Sequence, residues 1–221
     1  MSDSPNMDQN DQKLAQATPN SDRPYSWFES LYAEASGHPE RIPWAKLKPH
    51  PALMSWLDEQ EFLRPGQGAL VVACGLGDDA EALAARGYAV TAFDYSQSAI
   101  AWCQQRFDTS LVNYYQADLF SLPQSWQKAY PLVWECRTIQ SLPLEMRSEA
   151  IRAIANLVSP GGTLLVLTHL RPDNSEAQGP PWPLSNAELN EFKTLGFTEV
   201  RRTPYTDSKR PEVEQVLIEF N

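Results

Sequence analysis

Two glycines and one aspartate form the clearest chemical pattern in the sequence. Gly75 and Gly77 follow the apolar run 69–72, and Asp94 ends the next apolar run, 89–93. Glycine lacks a Cβ, so its backbone turns tightly and comes close to a ligand. A carboxylate at the end of the second strand of such a unit accepts hydrogen bonds from ribose hydroxyls. The pattern therefore predicts a βαβ unit that binds a nucleoside.

The residues at the start of the intervening helix narrow the choice of ligand. Asp78 and Asp79 lie where a helix N-terminus would otherwise attract a pyrophosphate, and two carboxylates there would repel one. S-adenosylmethionine combines adenosine with a sulfonium, an ammonium and a single carboxylate, so the acidic helix start favours it. Gly75, Gly77 and Ala80 also fit the loose dinucleotide fingerprint. An NAD-dependent oxidoreductase, or an ordinary βαβ turn capped by aspartates, therefore stays open as an alternative.

The composition bounds the class of protein. With 221 residues and a net charge of −10, the chain is long enough for one buried core, and its average field repels phosphate backbones and anionic membranes. No apolar run approaches the roughly 18 residues of a membrane helix, and the amino terminus has no basic, apolar signal pattern. We expect a cytoplasmic monomer or weak homodimer that binds neither nucleic acid nor membrane. No metal-ligand spacing is present, and three cysteines are expected to be free thiols: Cys74, Cys103 and Cys136.

Strand and helix signals alternate along most of the chain. Residues 1–24 are polar and nearly free of large apolar side chains, which predicts a disordered tail, and residues 25–221 are expected to form one domain. Five β-α repeats and a final strand pair predict a doubly wound, Rossmann-like sheet with helices on both faces. The expected strands after the glycine turn are 89–94, 112–115, 132–136, 163–169, 199–205 and 212–220, and the expected helices are 97–107, 143–157 and 184–195, with a turn at 159–162.

Several segments, in one order, resemble the class I S-adenosylmethionine-dependent methyltransferases, and most closely the thiopurine and thiol/halide methyltransferase group. The resemblance spans roughly residues 25–220 and implies a seven-stranded sheet with a reversed C-terminal hairpin. The sequence departs from the group in two places that concern the acceptor: Leu31 or Tyr32 replaces the second Trp of an N-terminal pair, and Cys136 replaces an Arg or Tyr. The matching segments are Pro43-Trp44, Val71 to Gly75, Leu83 to Val90, and Asp94 with Ser96, Ala99 and Ile100.

The resemblance implies a set of cofactor-binding residues. The glycine turn would contact the methionine part of S-adenosylmethionine through its backbone, Asp94 would hold the ribose, and Tyr95 would flank the adenine. Asp118 is expected to accept a hydrogen bond from the adenine amine, and Trp44 is expected to cover the cofactor. The full expected set is Trp44, Ala73, Cys74, Gly75, Gly77, Asp94, Tyr95, Asp118, Leu119, Glu135 and Cys136.

A second set of residues is expected on the acceptor side. Trp27, Gln140 and Trp182 are predicted to line the substrate pocket; the segment Gly179 to Trp182 resembles a pocket-roofing loop of the thiol/halide branch. Gln140 could equally cap a helix. Arg137 follows Glu135 and Cys136 at the end of a strand, so we predict that it is the catalytic cation that stabilises an anionic acceptor. The alternative is an arginine paired with a surface carboxylate.

These residues predict transfer of a methyl group to a soft nucleophile on a small molecule. No His-Asp pair or metal-ligand cluster stands out to activate a hydroxyl, whereas a thiolate needs no base. A thiol is therefore the favoured acceptor, and halide, selenium or tellurium species are possible ones. The replacement of the second N-terminal Trp keeps a second hypothesis open, namely an S-adenosylmethionine-binding regulatory or inactive homologue.

Overall fold

The computed structural model describes residues 24–60, 65–207 and 210–221. Within these ranges the chain forms one seven-stranded sheet with the strand order β3-β2-β1-β4-β5-β7-β6. Strands β1 to β5 are parallel, and β7 is antiparallel to both β5 and β6. The predicted doubly wound sheet with a reversed C-terminal hairpin is confirmed. The strands are β1 (Gly68–Val72), β2 (Ala89–Asp94), β3 (Asn113–Gln116), β4 (Tyr130–Cys136), β5 (Val158–His169), β6 (Glu199–Asp207) and β7 (Arg210–Phe220).

Helices cover both faces of this sheet, which explains why β1 is a continuous apolar run after its first glycine. In β1, Leu70 and Val72 pack in one core cluster, whereas Ala69 and Val71 pack in the cluster on the opposite face. A parallel strand buried on both faces is a continuous apolar run rather than an alternating one. The helices are α1 (Trp27–Ala35), α2 (Pro51–Asp58), α3 (Asp78–Ala85), α4 (Gln97–Arg106), α5 (Arg147–Ala155), α6 (Asn186–Leu189) and α7 (Glu191–Thr194).

The strand order reverses between β1 and β4, and this point positions the candidate site. In open parallel sheets, ligands bind outside the carboxyl ends of the strands at the place where the order reverses. The turn 73–77 after β1 and the turn 137–141 after β4 both lie at this edge. Helix α1 packs against α4 in a third cluster, in which Tyr32, Leu76 and Ala99 are buried. The amino-terminal helix thereby covers the edge where a ligand would bind.

Three local predictions differ from the structure. The expected turn at 159–162 lies within β5, where a bulge separates the pairs Tyr130↔Val158 and Leu132↔Thr163, so the strand continues past the glycines. The expected helix 184–195 is two short helices, α6 and α7. The capping box of Ser185 and Glu188 starts α6 at Asn186. A 3-10 turn precedes α5, which therefore begins at Arg147 rather than at residue 143.

Two further predictions concern the boundaries of the protein. The expected tail, 1–24, lies outside the described residues except for Pro24, so the predicted division into tail and domain stays a prediction. Among the helices of the described ranges, none has the length and apolar character required to cross a membrane.

Candidate active site

The glycine turn has the left-handed backbone that its sequence requires. Ala73, Gly75 and Gly77 have φ values of +47°, +54° and +87°. A Cβ on Gly77 would lie 2.6 Å from Tyr114 Oη and 3.1 Å from Cys103 Sγ, so packing against the protein requires that glycine. Ala73 is instead exposed and Gly75 is half-buried. The first part of the turn therefore faces the open edge of the sheet, and Gly77 faces the protein.

Asp94 lies beside this turn at the end of β2. Its Oδ2 accepts a hydrogen bond from the Gly75 backbone N–H at 2.9 Å, and its Oδ1 accepts one from the Ser96 N–H at 2.9 Å. The side chain is buried, and burial raises the pKa of the carboxyl to about 6. Each carboxylate oxygen has a further lone pair. The group is therefore held in place by the backbone and retains the capacity to accept two ligand hydroxyls.

The two aspartates at the start of α3 form hydrogen bonds and an ion pair with other residues of the protein. Asp79 accepts hydrogen bonds from the His50 N–H at 2.6 Å and from Trp134 Nε1 at 2.8 Å, and burial raises its pKa. Asp78 forms an ion pair with Arg106 at 2.8 Å. The sequence argument assumed that both carboxylates act on a ligand. Their contacts show that Asp79 instead joins α3 to β4, and that Arg106 compensates the charge of Asp78.

Helix α1 and Trp44 form an amino-terminal cover, which the hydrogen bonds of Glu29 and Tyr32 hold in place. Glu29 of α1 accepts from the Ser96 hydroxyl at 2.6 Å and from the Ser98 hydroxyl at 2.7 Å. Tyr32 lies on the next turn of the same helix. Its hydroxyl oxygen accepts a hydrogen bond from Trp44 Nε1 at 2.8 Å. That oxygen lies 3.1 Å from the place where a Cβ on Gly75 would be. Trp44 is therefore linked to the glycine turn through Tyr32.

Tyr32 is a site residue that sequence reasoning missed. Its side chain is 3% exposed, and burial raises its pKa, with the charge of Asp94 adding to the effect. The one hydrogen bond of this hydroxyl within the described residues is the one it accepts from Trp44, so its proton is left to donate. The sequence indicated only that a Tyr or Leu stood in place of a Trp. The position of the hydroxyl depends on a contact between α1 and the turn after β1, which no local pattern encodes.

A second aromatic group lies at the carboxyl ends of β2 and β3. The Tyr25 hydroxyl donates to Asp118 Oδ2 at 2.8 Å, and the Tyr25 ring packs edge-on against Tyr95 at 5.0 Å. Asp118 also accepts from the Phe120 N–H at 3.0 Å. Leu119 is half-buried in the same cluster. Tyr95, Asp118 and Leu119 are thus together, as expected, and Tyr25 is a further member that the sequence did not identify.

The end of β4 contains a buried carboxylate. Glu135 is fully buried, and its Oε1 accepts from the Thr138 N–H at 2.5 Å and from the Ile139 N–H at 3.1 Å. Burial raises its pKa to about 7, and its Oε2 has no hydrogen-bond partner. These contacts cap the short helical turn that follows the strand. A direct contact between Glu135 and a cofactor stays a prediction.

Arg137 follows immediately and has an unusual environment. Its φ is +64°, and its Nη2 donates to Gln215 Oε1 and lies 3.3 Å from His50 Nε2. No ion pair joins Arg137 to a carboxylate within the part of the chain that the structure describes. The described residues therefore give no support to the alternative of a surface ion pair, and the catalytic role of Arg137 stays a prediction. Cys136, next to it, is half-buried, and burial raises the pKa of its thiol.

The three expected pocket residues fall in two places. Trp27 is half-buried, stacks on Phe28 at 3.8 Å and contacts Trp44 edge-on at 6.1 Å. Gln140 is 1% exposed, and its Oε1 accepts from the His169 N–H at 2.7 Å, so it stabilises the end of β5. Half-buried Trp182 donates its backbone N–H to Gln140 O at 2.7 Å. Trp27 therefore belongs to the amino-terminal cover, and Trp182 lies at the ends of β4 and β5.

The strand order, the glycine turn and the buried acid after β2 together define a class I methyltransferase fold. Comparison with known proteins places the chain within this class. The family described as Thiopurine S-methyltransferase (TPMT) matches residues 38–219, so the chain belongs to that family. It is an S-adenosylmethionine-dependent methyltransferase. This result sets aside the NAD-dependent oxidoreductase.

Individual relatives agree with the family assignment. A thiopurine S-methyltransferase of Aliivibrio salmonicida (strain LFI1238) is 27% identical over 171 residues, covering 70% of this chain and 78% of that protein. A probable thiol methyltransferase 2 of Arabidopsis thaliana is 25% identical over 181 residues, covering 79% and 74%. The 1,6-didemethyltoxoflavin-N1-methyltransferase of Burkholderia thailandensis, solved with its namesake compound and S-adenosylhomocysteine, has the same fold, with a TM-score of 0.70 at 16% identity over 99% of this chain and 92% of that one.

Proposed function

We propose that this methyltransferase transfers a methyl group to the sulfur of small thiols. The observation that supports this acceptor best is Arg137 at the carboxyl end of β4, whose guanidinium has no carboxylate partner among the described residues. The names of the relatives point the same way, since both a thiopurine S-methyltransferase and a probable thiol methyltransferase methylate sulfur. Halide, selenium and tellurium species are soft nucleophiles of the same kind and are secondary candidates.

The residues of the glycine turn and its cover fit the cofactor. When bound, S-adenosylmethionine supplies a methyl group activated on a sulfonium. Asp94 would accept from the ribose hydroxyls with the lone pairs that its backbone bonds leave, and the backbone of Ala73, Cys74 and Gly75 would contact the methionine part. The Tyr32 hydroxyl, oriented by Trp44, would donate its proton to the ligand, which removes the cost of a buried donor without an acceptor.

On the adenine side, Tyr95 and Leu119 would contact the ring, and Asp118 would accept from the exocyclic amine. Asp118 Oδ1 and Oδ2 each accept one hydrogen bond from the protein, and each keeps a further lone pair for a ligand. The edge-on packing of Tyr25 against Tyr95 fixes the position of the Tyr95 ring. Gly77 and the fully buried Glu135 would contribute through the backbone conformation that they impose, and Cys136 is half-buried at the same strand end as Glu135.

The acceptor side requires orientation, exclusion of water and a cation, and no metal or general base. Trp27, Trp44 and Trp182 supply apolar surface that displaces water from a soft nucleophile. A neutral thiol with a pKa of about 8.5 gives up its proton to solvent more readily beside a guanidinium, because the cation stabilises the thiolate. Arg137 would supply this stabilisation, and Gln215 holds its guanidinium in place without neutralising it.

The pH dependence of an Arg137→Ala variant tests this role. With 2-mercaptoethanol as acceptor and S-adenosylhomocysteine as the measured product, we expect kcat/KM to fall about tenfold at pH 7, because each pKa unit of thiol stabilisation changes the thiolate fraction tenfold. At pH 9.5, where a large part of the free acceptor is already thiolate, the loss is expected to be only a few-fold. The affinity for S-adenosylmethionine, measured by calorimetry, should stay within twofold.

The matched control is Arg86→Ala, since Arg86 pairs with Asp58 away from the strand ends. An equal loss at every pH would make Arg137 a structural residue. Efficient methylation of catechol without methylation of any thiol would overturn the sulfur acceptor. Cofactor binding without turnover on thiols, iodide, selenite or tellurite would instead support the regulatory or inactive homologue.

A further inference from the structure

A buried arginine at the start of α5 reaches across to the loop that precedes α6. Arg147 is 2% exposed and is the first residue of its helix. Its Nη1 donates to Glu188 Oε1, and its Nη2 donates to the backbone carbonyl of Trp182. One planar guanidinium therefore binds a carboxylate and a loop carbonyl at the same time. A lysine ammonium, which is a compact point charge, does not reproduce this fork geometry.

Glu188 is the common hydrogen-bond acceptor for the residues that contact this loop. Its Oε2 accepts from Arg171 Nη2 at 2.9 Å, from the Ser185 N–H at 2.6 Å and from the Ser185 hydroxyl at 2.8 Å. Hydrogen bonds from Ser185 and Arg147 hold the pKa of Glu188 below its usual range, although burial opposes them. Arg171 also donates to the carbonyls of Pro183 and Ser175. One carboxylate thus connects two arginines that both bind the loop.

The contacts fix Trp182 through both of its backbone polar groups. Its carbonyl accepts from Arg147, and its N–H donates to Gln140 O at 2.7 Å. Gln140 belongs to the turn after β4, and its side chain accepts from the His169 N–H at the end of β5. Leu170, the residue after β5, forms an isolated β-bridge with Leu184, which lies two residues after Trp182. Trp182 is therefore attached at the carboxyl ends of β4 and β5, the same edge at which Arg137 lies.

We propose that Arg147, acting through Glu188 and the Trp182 carbonyl, is a positioning residue that sets the affinity for the methyl acceptor. The proposal rests on the proposed function, in which Trp182 supplies part of the acceptor pocket. The hydrogen bonds of the Arg147 guanidinium go to Glu188 and to the carbonyls of Trp182 and Pro183, none of which is among the proposed cofactor-binding residues. Loss of the Arg147 fork is therefore expected to displace Trp182 and to weaken acceptor binding, with cofactor binding preserved.

The test uses the full chain with Arg147→Lys, and with Glu188→Gln as a second variant that preserves the shape of the partner. For 2-mercaptoethanol we expect KM to rise about tenfold, or ~1.4 kcal/mol, with kcat changed less than threefold. Calorimetric affinity for S-adenosylmethionine should stay within twofold. Acrylamide quenching of the Trp182 fluorescence, obtained by subtracting the Trp182→Phe signal in each background, should increase.

Arg202→Lys is the matched control, because Arg202 contacts Glu199 and Asn186 rather than the loop, and it should change none of these readouts. If the quenching and KM of both variants equal those of the parent, the positioning role is overturned. An increase in quenching without a change in KM overturns its link to the acceptor. If the parent methylates no thiol, the proposed function fails. Unchanged quenching in both variants would, independently of that result, overturn the positioning of Trp182 by Arg147.

Discussion

At the scale of single residues, the site depends on groups whose hydrogen bonds are only partly used within the protein. Asp94 accepts from two backbone N–H groups and still has lone pairs, and the Tyr32 hydroxyl accepts from Trp44 and still has a proton. A buried polar group that lacks a partner costs free energy, and a ligand that supplies the partner recovers it. The proposed contacts of these two side chains with the cofactor would therefore couple its binding to the stability of the site.

The raised pKa of Asp94 predicts a pH-dependent cofactor affinity. In the proposed site, ribose hydroxyls would donate to the ionised carboxylate of Asp94, so binding would favour the form that is lost as the pH falls through about 6. We expect the affinity of the parent protein for S-adenosylmethionine to be about tenfold lower at pH 5 than at pH 7.5, from the ionised fraction of such a group. Calorimetry at the two pH values measures this ratio.

The variant Asp94→Asn provides the comparison for that prediction. The amide places an N–H donor against the backbone N–H of either Gly75 or Ser96, so we expect a loss of about tenfold or more at pH 7.5, corresponding to ~1.4 kcal/mol or more. Its affinity should vary little with pH, and any variation common to both proteins belongs to other groups. A tenfold pH effect retained in the variant would contradict the assignment to Asp94.

The sequence predicted single residues well where one element carries the signal, and poorly where two elements meet. Gly75 and Asp94 follow from the turn and the end of a strand, and the structure places them 2.9 Å apart through the Gly75 N–H. Tyr25 and Tyr32 contact Asp118 and the glycine turn, respectively, across long stretches of chain. No spacing rule in a single sequence relates residues of the amino-terminal segment to turns that follow β1 and β3.

At the scale of elements, the alternation of strands and helices was predictable, and the ends of the elements were less so. The strands β1, β2 and β4 are mainly apolar runs of five, six and seven residues. The segment 159–162 contains Pro and two glycines, which indicate a turn, but pairing of Val158 with Tyr130 continues the strand on the far side of it. Long-range pairing thus overrides a correct local signal.

The capping carboxylate after β4 gives a prediction about stability at this scale. The pKa of Glu135 is about 7 in the folded protein, against 4.5 as its ordinary value, so the folded state binds more protons than the unfolded state between these pH values. Stability contributed by this group therefore falls as the pH rises from about 4.5 through about 7, by up to ~3 kcal/mol. The variant Glu135→Gln lacks that titration and keeps an acceptor for the Thr138 and Ile139 N–H groups.

Urea unfolding of the cofactor-free protein at pH 5 and at pH 8.5 measures this effect. As the pH rises from 5 to 8.5, the free energy of unfolding of Glu135→Gln should increase relative to that of the parent. The variant Glu34→Gln, at an exposed position, should show no increase of that size. An unchanged difference between parent and Glu135→Gln at the two pH values would mean that the carboxylate is ionised and satisfied when folded. It would then act as an ordinary cap.

At the scale of the whole molecule, two electric fields of opposite sign act on an acceptor. The net charge of −10 repels anions at a distance, whereas Arg137, in its proposed role, would attract them at the end of β4. The long-range field is screened by salt over a Debye length that shrinks from about 30 Å at 0.01 M to about 8 Å at 0.15 M. A contact between a half-buried guanidinium and a bound anion is screened much less.

The two fields predict how salt affects acceptors of different charge. For mercaptosuccinate, whose two carboxylates make it anionic, we expect kcat/KM to rise several-fold as sodium acetate increases the ionic strength from about 0.01 M to about 0.15 M, because the repulsion from the whole molecule is screened. For 2-mercaptoethanol, which is largely neutral at pH 7, the change should stay within twofold. Acetate is used so that no halide competes as an acceptor. A fall in kcat/KM for mercaptosuccinate with added salt would mean that the local attraction by Arg137 exceeds the repulsion by the net charge along the path to the site.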